Sequence, residues 1–251
     1  MKINFFKASL SLIPAMALAS ATPADAYQIF TAQDPNGSQT PLASFPLASA
    51  QRNAFLSNLQ GVGTESFESF ANFSQVPLNL TFPGSTGNIT ANLTGGDGII
   101  YDSPGGGRFA TSGSNFLEVD AGNNFQVSFN KEVAAFGFYG TDLGDFGGTL
   151  ALKLVDGTTT TVNVPISSNQ SGNEGSVLFY GIIADNASET FSSVEFLSTS
   201  GDNDIFGFDD FTIGDLGQVQ PPNDSTPEPA TTLGLASLAL LGAATKYKKT
   251  K

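Results

Sequence analysis

The residues best suited to chemistry are carboxylates in two distant parts of the chain. Two lie in one early segment and four in one late segment: Glu65, Glu68, Asp202, Asp204, Asp209 and Asp210. In a jelly-roll sandwich the first and last strands often lie side by side, so these acids would meet. Clustered carboxylate oxygens are the ligands that Ca²⁺ prefers.

Strand alternation sharpens this expectation for the late pair. Successive side chains point to opposite faces, so Asp210 would share a face with Phe208 and Asp209 would share one with Phe211. One acid would then point among apolar side chains, where an unpaired carboxylate is costly. We therefore hypothesise a structural Ca²⁺ held by Glu68 and Asp210, with Asp209 as a further candidate ligand. The alternative, which stays open, is that Asp209 and Asp210 accept hydrogen bonds from backbone amides at a strand end.

Catalysis is disfavoured by composition. The chain contains no histidine and no cysteine, so it lacks the usual nucleophile–base pairs and histidine metal clusters. Two facing carboxylates would suit glycoside hydrolysis, but no motif marks such a pair. The sequence predicts a protein that is not an enzyme.

Sugar binding is the alternative chemistry. Exposed aromatic rings stack on sugars, and the candidates are Tyr101, Tyr139 and Tyr180. The competing interpretation places these tyrosines in the core or on an ordinary strand surface.

The N-terminal segment has the pattern of a secretory signal. Lys2 and Lys7 precede an apolar run over residues 8–21, and Ala24 and Ala26 form an A-x-A cleavage site. This predicts a signal peptide over residues 1–26. An uncleaved N-terminal anchor is the less favoured alternative.

The C-terminal segment has three consecutive parts. Pro227, Glu228 and Pro229 precede an uncharged run over residues 230–245, and four lysines follow: Lys246, Lys248, Lys249 and Lys251. As a helix the run would span roughly 24 Å, against about 30 Å for a hydrocarbon core. Lysines can snorkel and remain cytoplasmic, so we expect a short transmembrane helix. A buried C-terminal helix is the alternative.

This order of features resembles the PEP-CTERM sorting signal of Gram-negative bacteria and cyanobacteria. The resemblance implies export and processing near the motif by an exosortase, an integral membrane protease-transferase. The inner membrane would then hold the chain transiently or permanently. The resemblance further implies a location at the cell surface or in the extracellular matrix.

The formal net charge is −13. The segment between the two signals is more acidic still, because Lys2, Lys7 and the four tail lysines lie outside it. Such a charge disfavours nucleic acid and anionic lipid as partners.

The body of the chain is predicted to be all-β. Leu47, Ala54 and Phe55 recur at helical spacing, which predicts one short helix before the strands. Short alternating runs then predict an antiparallel β-sandwich, jelly-roll-like, with these strands: Glu65–Phe70, Leu78–Phe82, Asn88–Leu93, Ile99–Asp102, Asn115–Asp120, Phe125–Asn130, Val133–Tyr139, Thr149–Val155, Thr159–Val164, Ser176–Ile183, Ser192–Leu197 and Ile205–Ile213.

Five parts follow along the chain: the signal peptide, an arm and helix over 27–63, the sandwich over 64–216, a linker over 217–226 and the sorting signal over 227–251. The motifs at 135–148, 178–182 and 206–211 resemble the ectodomain common in PEP-CTERM proteins, which is similar in outline to jelly-roll carbohydrate-binding modules. Glu68 and Asp210 would match the structural calcium site of these carbohydrate-binding modules. The expected function is a structural or exopolysaccharide-associated surface protein, with a calcium-containing lectin-like module as the alternative.

Overall fold

The computed structural model describes residues 27–120, 123–143, 150–155, 160–164, 174–198 and 205–220. The expected signal peptide with Ala24 and Ala26, and the expected sorting signal with its lysines, lie outside the described residues. So do Asp202 and Asp204. No helix within the described ranges is long and apolar enough to cross a membrane.

The described part contains thirteen strands and one α-helix. The strands are β1 (Tyr27–Asp34), β2 (Gly63–Glu65), β3 (Leu78–Phe82), β4 (Ile89–Thr94), β5 (Ile99–Tyr101), β6 (Phe116–Asp120), β7 (Gln126–Val133), β8 (Ala135–Thr141), β9 (Leu150–Val155), β10 (Thr160–Val164), β11 (Val177–Ala184), β12 (Phe191–Ser198) and β13 (Ile205–Gly214). The helix α1 spans Pro46–Ser57, and a 3₁₀ turn spans Leu216–Gln218.

These strands form two antiparallel sheets. The inner sheet has the order β1-β11-β8-β13-β6-β5, with β2 also paired to β13. The outer sheet has the order β10-β9-β12-β7-β4-β3. The predicted all-β, jelly-roll-like sandwich with one short helix is therefore confirmed.

The outer sheet shows how local pattern determines which face is buried. In β3 the side chains of Leu78, Leu80 and Phe82 are buried, whereas Asn79 and Thr81 are exposed. Such alternation is expected of a strand with one face on the core and one in water. The apolar residues of β4 alternate in the same way.

Phenylalanine fills the space between the sheets. Phe138 of the inner sheet packs 5.6 Å from Phe196 of the outer sheet and 5.3 Å from Phe208, measured between ring centroids. Phe136 packs 5.5 Å from Phe211. Edge-to-face and tilted pairs at these distances add to the stabilisation from burial alone.

The helix covers the other face of the inner sheet, so β8 and β11 are buried on both faces. Phe55 is fully buried there and packs 5.6 Å from Phe179. The carboxylate of Asp34 accepts hydrogen bonds from the amides of Leu47 (3.2 Å) and Ala48 (2.8 Å) at the start of the helix. These amides have no partner within the helix, and a carboxylate is well placed at its positive end.

Two predictions about the early part of the chain were wrong. The segment 27–34, predicted as part of an arm, is β1, and each of its residues pairs with β11. The strand predicted over 65–70 ends at Glu65 as β2. Phe67 has a φ of 60°, which interrupts extended backbone because an L-residue there is no longer in the β region.

Candidate functional site

A β-bulge determines where the two late carboxylates point. Asp209 is paired with Tyr139 and Thr212 with Gly137, so β13 takes one residue more than β8 between these pairs. Asp210 has a φ of 51°, and such an extra residue breaks the alternation of side chains. Phe208 before the bulge and Phe211 after it therefore both join the inter-sheet core.

The prediction that one of the two acids points into the apolar core was wrong for this reason. Both acids instead contact the chain segment over residues 111–115, here called the 111–115 loop. Asp209 is 1 % exposed and Asp210 is 8 % exposed.

Asp209 is held by donors of the loop. Its Oδ2 accepts hydrogen bonds from the amide of Thr111 (2.8 Å), the hydroxyl of Thr111 (3.0 Å) and the amide of Ser112 (2.9 Å). Its Oδ1 accepts from the amide of Asp210 at 2.7 Å. This carboxylate therefore closes the loop onto β13.

Asp210 reaches both the loop and the helix. The hydroxyl of Ser112 donates to its Oδ1 at 2.7 Å. Its Oδ2 lies 3.7 Å from a guanidinium nitrogen of Arg52 in α1. This acid joins the loop, the bulge and the helix.

Glu68 holds the far end of the same loop. Its Oε1 accepts from the amides of Ser114 (2.8 Å) and Asn115 (2.7 Å). A Cβ at Gly113 would lie 2.4 Å from the Glu68 carboxyl carbon, and Gly113 has a φ of 62°. Glycine fits both the close approach and the left-handed backbone.

The structure thus brings Glu68, Asp209 and Asp210 to one loop. β2 and β13 do lie side by side, with Glu65 opposite Phe211. Glu65 bonds locally instead, since its Oε1 accepts from the amide of Phe67 at 2.7 Å.

Burial gives Asp209 unusual electrostatics. Burial, and next the negative charge of Asp210, raise the pKa of Asp209 to about 7, while the hydrogen bonds from the loop oppose the rise. The pKa of Glu68 is lowered, chiefly by the hydrogen bond from the amide of Asn115. The charge of the Asp209 carboxyl group can therefore change near neutral pH.

The candidate calcium ligands are engaged by protein donors. Among the described residues no group of three acids is arranged to hold a metal ion. The hydrogen bonds of Asp209 match the backbone-amide interpretation. The Ca²⁺ hypothesis for Glu68, Asp209 and Asp210 stays a prediction.

Three of the cations, Arg52, Arg108 and Lys131, are also paired with acids. Arg108 donates to Glu118 at 2.8 Å and to Asp142 at 3.0 Å. Lys131 lies 3.4 Å from Asp215, and Arg52 pairs with Asp210 as described above. These pairs leave little local positive charge to attract an anionic polymer.

Two of the three candidate sugar-binding tyrosines are unavailable. Tyr139 is 4 % exposed and Tyr180 is fully buried, so the condition for stacking fails. Tyr139 packs against Phe45 and Phe179. Burial raises the pKa of both phenols.

Tyr101 is half-buried in the edge strand β5 and has a neighbour that sequence reasoning missed. Phe73 is 65 % exposed, and its ring centroid lies 5.6 Å from that of Tyr101 at an interplanar angle of 87°. Phe73 has a φ of 67°, which costs an L-residue roughly 1–2 kcal/mol. The sequence offered one signal for this residue: Phe73 is a large apolar residue in a polar segment between two predicted strands.

The C-terminal segment matches a motif known from other proteins. The model of one family, described as the PEP-CTERM protein-sorting motif, matches residues 225–249. The chain carries a PEP-CTERM sorting motif. A chain with this motif is exported and is anchored or processed at the cell envelope, and the motif implies processing by exosortase. The predicted recognition is thereby confirmed.

Several solved structures resemble the sandwich. The K2 cleaved adhesin domain of Lys-gingipain is 14% identical, and the match covers 61% of this chain and 97% of that chain with a TM-score of 0.35. The C-terminal family 22 carbohydrate-binding module of Clostridium thermocellum Xyn10B is 18% identical, with 63% and 97% covered and a TM-score of 0.34. A xylan-binding domain of the same module family is 18% identical, with 62% and 96% covered and a TM-score of 0.33. At such TM-scores these likenesses carry no argument about function. No curated protein matches the chain.

Proposed function

We propose that this PEP-CTERM protein is a non-enzymatic component of the cell surface or extracellular matrix. A signal peptide over residues 1–26 directs its export, and the segment over residues 227–251 holds it at the inner membrane until exosortase acts. The observation that carries the proposal is the sorting motif at residues 225–249.

The use of the acidic residues supports a structural role. Glu68, Asp209 and Asp210 fasten a loop to the sheet. A catalytic carboxyl group needs access to a substrate, whereas Asp209 is enclosed by its donors. The sandwich is further held by aromatic packing between two sheets, which suits a protein that must persist outside the cell without disulfides.

Mass spectrometry of the protein from its producing cells tests the proposal. We expect a mature N-terminus at Tyr27 and a new C-terminus near Pro229 in the envelope or matrix fraction. Replacing Pro227, Glu228 and Pro229 by alanine should leave the tail uncut and the full C-terminus intact. A matched alanine replacement of Pro221, Pro222 and Asn223, which precede the matched motif, should not alter processing.

Recovery of the untrimmed chain from the cytosol would contradict the proposal. In an exosortase-deficient strain we expect a chain that has lost its signal peptide but keeps its full C-terminus in the membrane fraction, because the tail then lacks its processing enzyme.

The second candidate is a lectin-like module. The specific observation that favours it is the exposed ring of Phe73 beside Tyr101.

A further inference from the structure

We propose that Phe73 and Tyr101 form a binding site for an uncharged polysaccharide. This inference deepens the proposed surface role and rests on it, since an exported protein meets such polymers outside the cell. It assigns the site to an edge of the inner sheet.

The two rings form a corner rather than a flat platform. Phe73 and Tyr101 are nearly perpendicular, and Tyr101 in turn leans on Phe116 at a centroid distance of 6.3 Å. Phe116 is buried, so Tyr101 is supported from below. Phe73 stands outermost, and its ring can stack on the apolar C–H face of a sugar.

The backbone holds Phe73 in this place. Its amide donates to the carbonyl of Ile100 at 2.8 Å, and the amide of Ile100 donates to the carbonyl of Ser74 at 2.8 Å. These bonds fix an aromatic residue in the left-handed region with most of its ring in water. Strain and exposure together are typical of a residue kept for binding rather than for folding.

Polar groups surround the rings. The side-chain amide of Asn72 donates to Oδ1 of Asp102 at 2.8 Å, and the hydroxyl of Ser103 donates to the same oxygen at 3.1 Å. No described residue hydrogen-bonds the hydroxyl of Tyr101. Carboxylate, amide and phenol groups beside a ring are suited to the hydroxyls at the rim of a sugar.

A cleft extends the site along the same pair of segments. It has a volume of about 310 Å³ and is lined by Gln75, Val76, Asp97, Gly98 and Ile99. Gln75 pairs with Ile99, two residues from Phe73 and Tyr101. The rings and the cleft therefore lie along the same two chain segments. This arrangement favours a polysaccharide of several sugar units over a monosaccharide.

The small exposed apolar surface and the acidic surroundings of the site favour an uncharged polysaccharide as its ligand. Stable protein interfaces bury about 1,200–2,000 Å² in total, whereas the exposed apolar surface here is essentially one ring with polar neighbours. Asp97 and Asp102 flank the site, and the chain has a net charge of −13. These charges repel uronate-containing or sulfated polymers and are compatible with an uncharged one.

Affinity electrophoresis of the purified full-length chain in mild detergent tests the site. The gels contain hydroxyethylcellulose, dextran, galactomannan or the neutral polysaccharide fraction of the producing cells, and carboxymethylcellulose serves as the charged counterpart. We expect retardation by at least one neutral polymer and none by carboxymethylcellulose.

The decisive variant is Phe73→Asn. Asparagine tolerates the left-handed backbone better than phenylalanine, so the melting temperature should stay the same or rise. Retardation should fall about fivefold or more, as expected for loss of an aromatic contact. The control Leu47→Ala removes another exposed apolar side chain (54 % exposed) and should bind like the wild type.

Three results would overturn the inference. They are no retardation in any neutral gel, equal retardation of Phe73→Asn and wild type, and a dimer in solution that Phe73→Asn abolishes. The last would make the ring a contact between copies. Each result leaves the processing test of the sorting motif unaffected, so failure of the site is distinguishable from failure of the proposed function.

Discussion

Gly137 of β8 and Gly181 of β11 are direct partners across the inner sheet, and the ring of Phe55 lies over both. A Cβ at Gly181 would lie 2.7 Å from Phe55 Cδ2, and one at Gly137 would lie 2.9 Å from Phe55 Cε1. The paired glycines form the surface on which the helix α1 rests.

Gly181→Ala should therefore destabilise the protein by about 1–3 kcal/mol, because the added methyl overpacks the contact with Phe55. Urea unfolding measures the change. Phe55→Leu in the same chain should recover part of it, so the two changes should not be additive. Gly105→Ala is the matched control, since nothing lies within 4 Å of its added Cβ. Equal losses at Gly105 and Gly181 would contradict the packing explanation.

Asp209 should make stability depend on pH in a defined window. Its pKa is about 7 when folded, against an ordinary value of 3.8 for an aspartate side chain, so the folded state binds more protons between these values. The stabilisation associated with its protonated form is complete below about pH 4 and is lost as the pH rises through 7.

The measurement is the free energy of unfolding of wild type and Asp209→Asn from pH 4 to 8. The difference between them should change by a few kcal/mol over this range, roughly 1.4 kcal/mol for each pH unit by which the pKa differs. Asp210→Asn removes the neighbouring charge and should move the transition to lower pH. A constant difference across the range would show that Asp209 stays ionised.

Glu68→Ala should loosen one end of the 111–115 loop. The change removes an acceptor shared by the amides of Ser114 and Asn115, so hydrogen exchange at these two amides should accelerate. The amide of Phe138 in the core should keep its protection. The expected loss of stability is about 1–2 kcal/mol. Slow exchange at Ser114 in the variant would mean that the loop is held by other contacts.

The backbone-amide interpretation of these acids predicts that calcium leaves the melting temperature unchanged. The carboxylates of Glu68 and Asp209 already accept hydrogen bonds from loop amides, and a cation would have to displace these donors. Differential scanning calorimetry with millimolar Ca²⁺, and with Mg²⁺ as the control, measures the effect. A rise in melting temperature with Ca²⁺ that Asp210→Asn abolishes would instead support the calcium hypothesis.

Many strand positions could be predicted because the burial of each side chain in a strand depends on local alternation. Leu78–Phe82 was predicted with its observed bounds as β3. The predicted strands Thr149–Val155 and Thr159–Val164 correspond to β9 and β10, and these strands pair with Thr160 opposite Leu154. Leu47 and Phe55 likewise predicted the helix α1.

The candidate sites were harder to predict because they depend on contacts between distant residues. The bulge at Asp210 exists only because β13 pairs with β8, and no local pattern shows an extra residue. The burial of Tyr180 depends on the two layers that cover β11. The exposure of Phe73 depends on which edge of the sheet its loop reaches.

The amino-acid order by itself determined the sorting motif, the helix and the alternating strands, because each is a property of neighbouring residues. Only the tertiary structure decided that Glu68, Asp209 and Asp210 fasten one loop, and that Phe73 meets Tyr101. Long-range pairing sets both arrangements, since it brings together side chains that lie far apart along the chain.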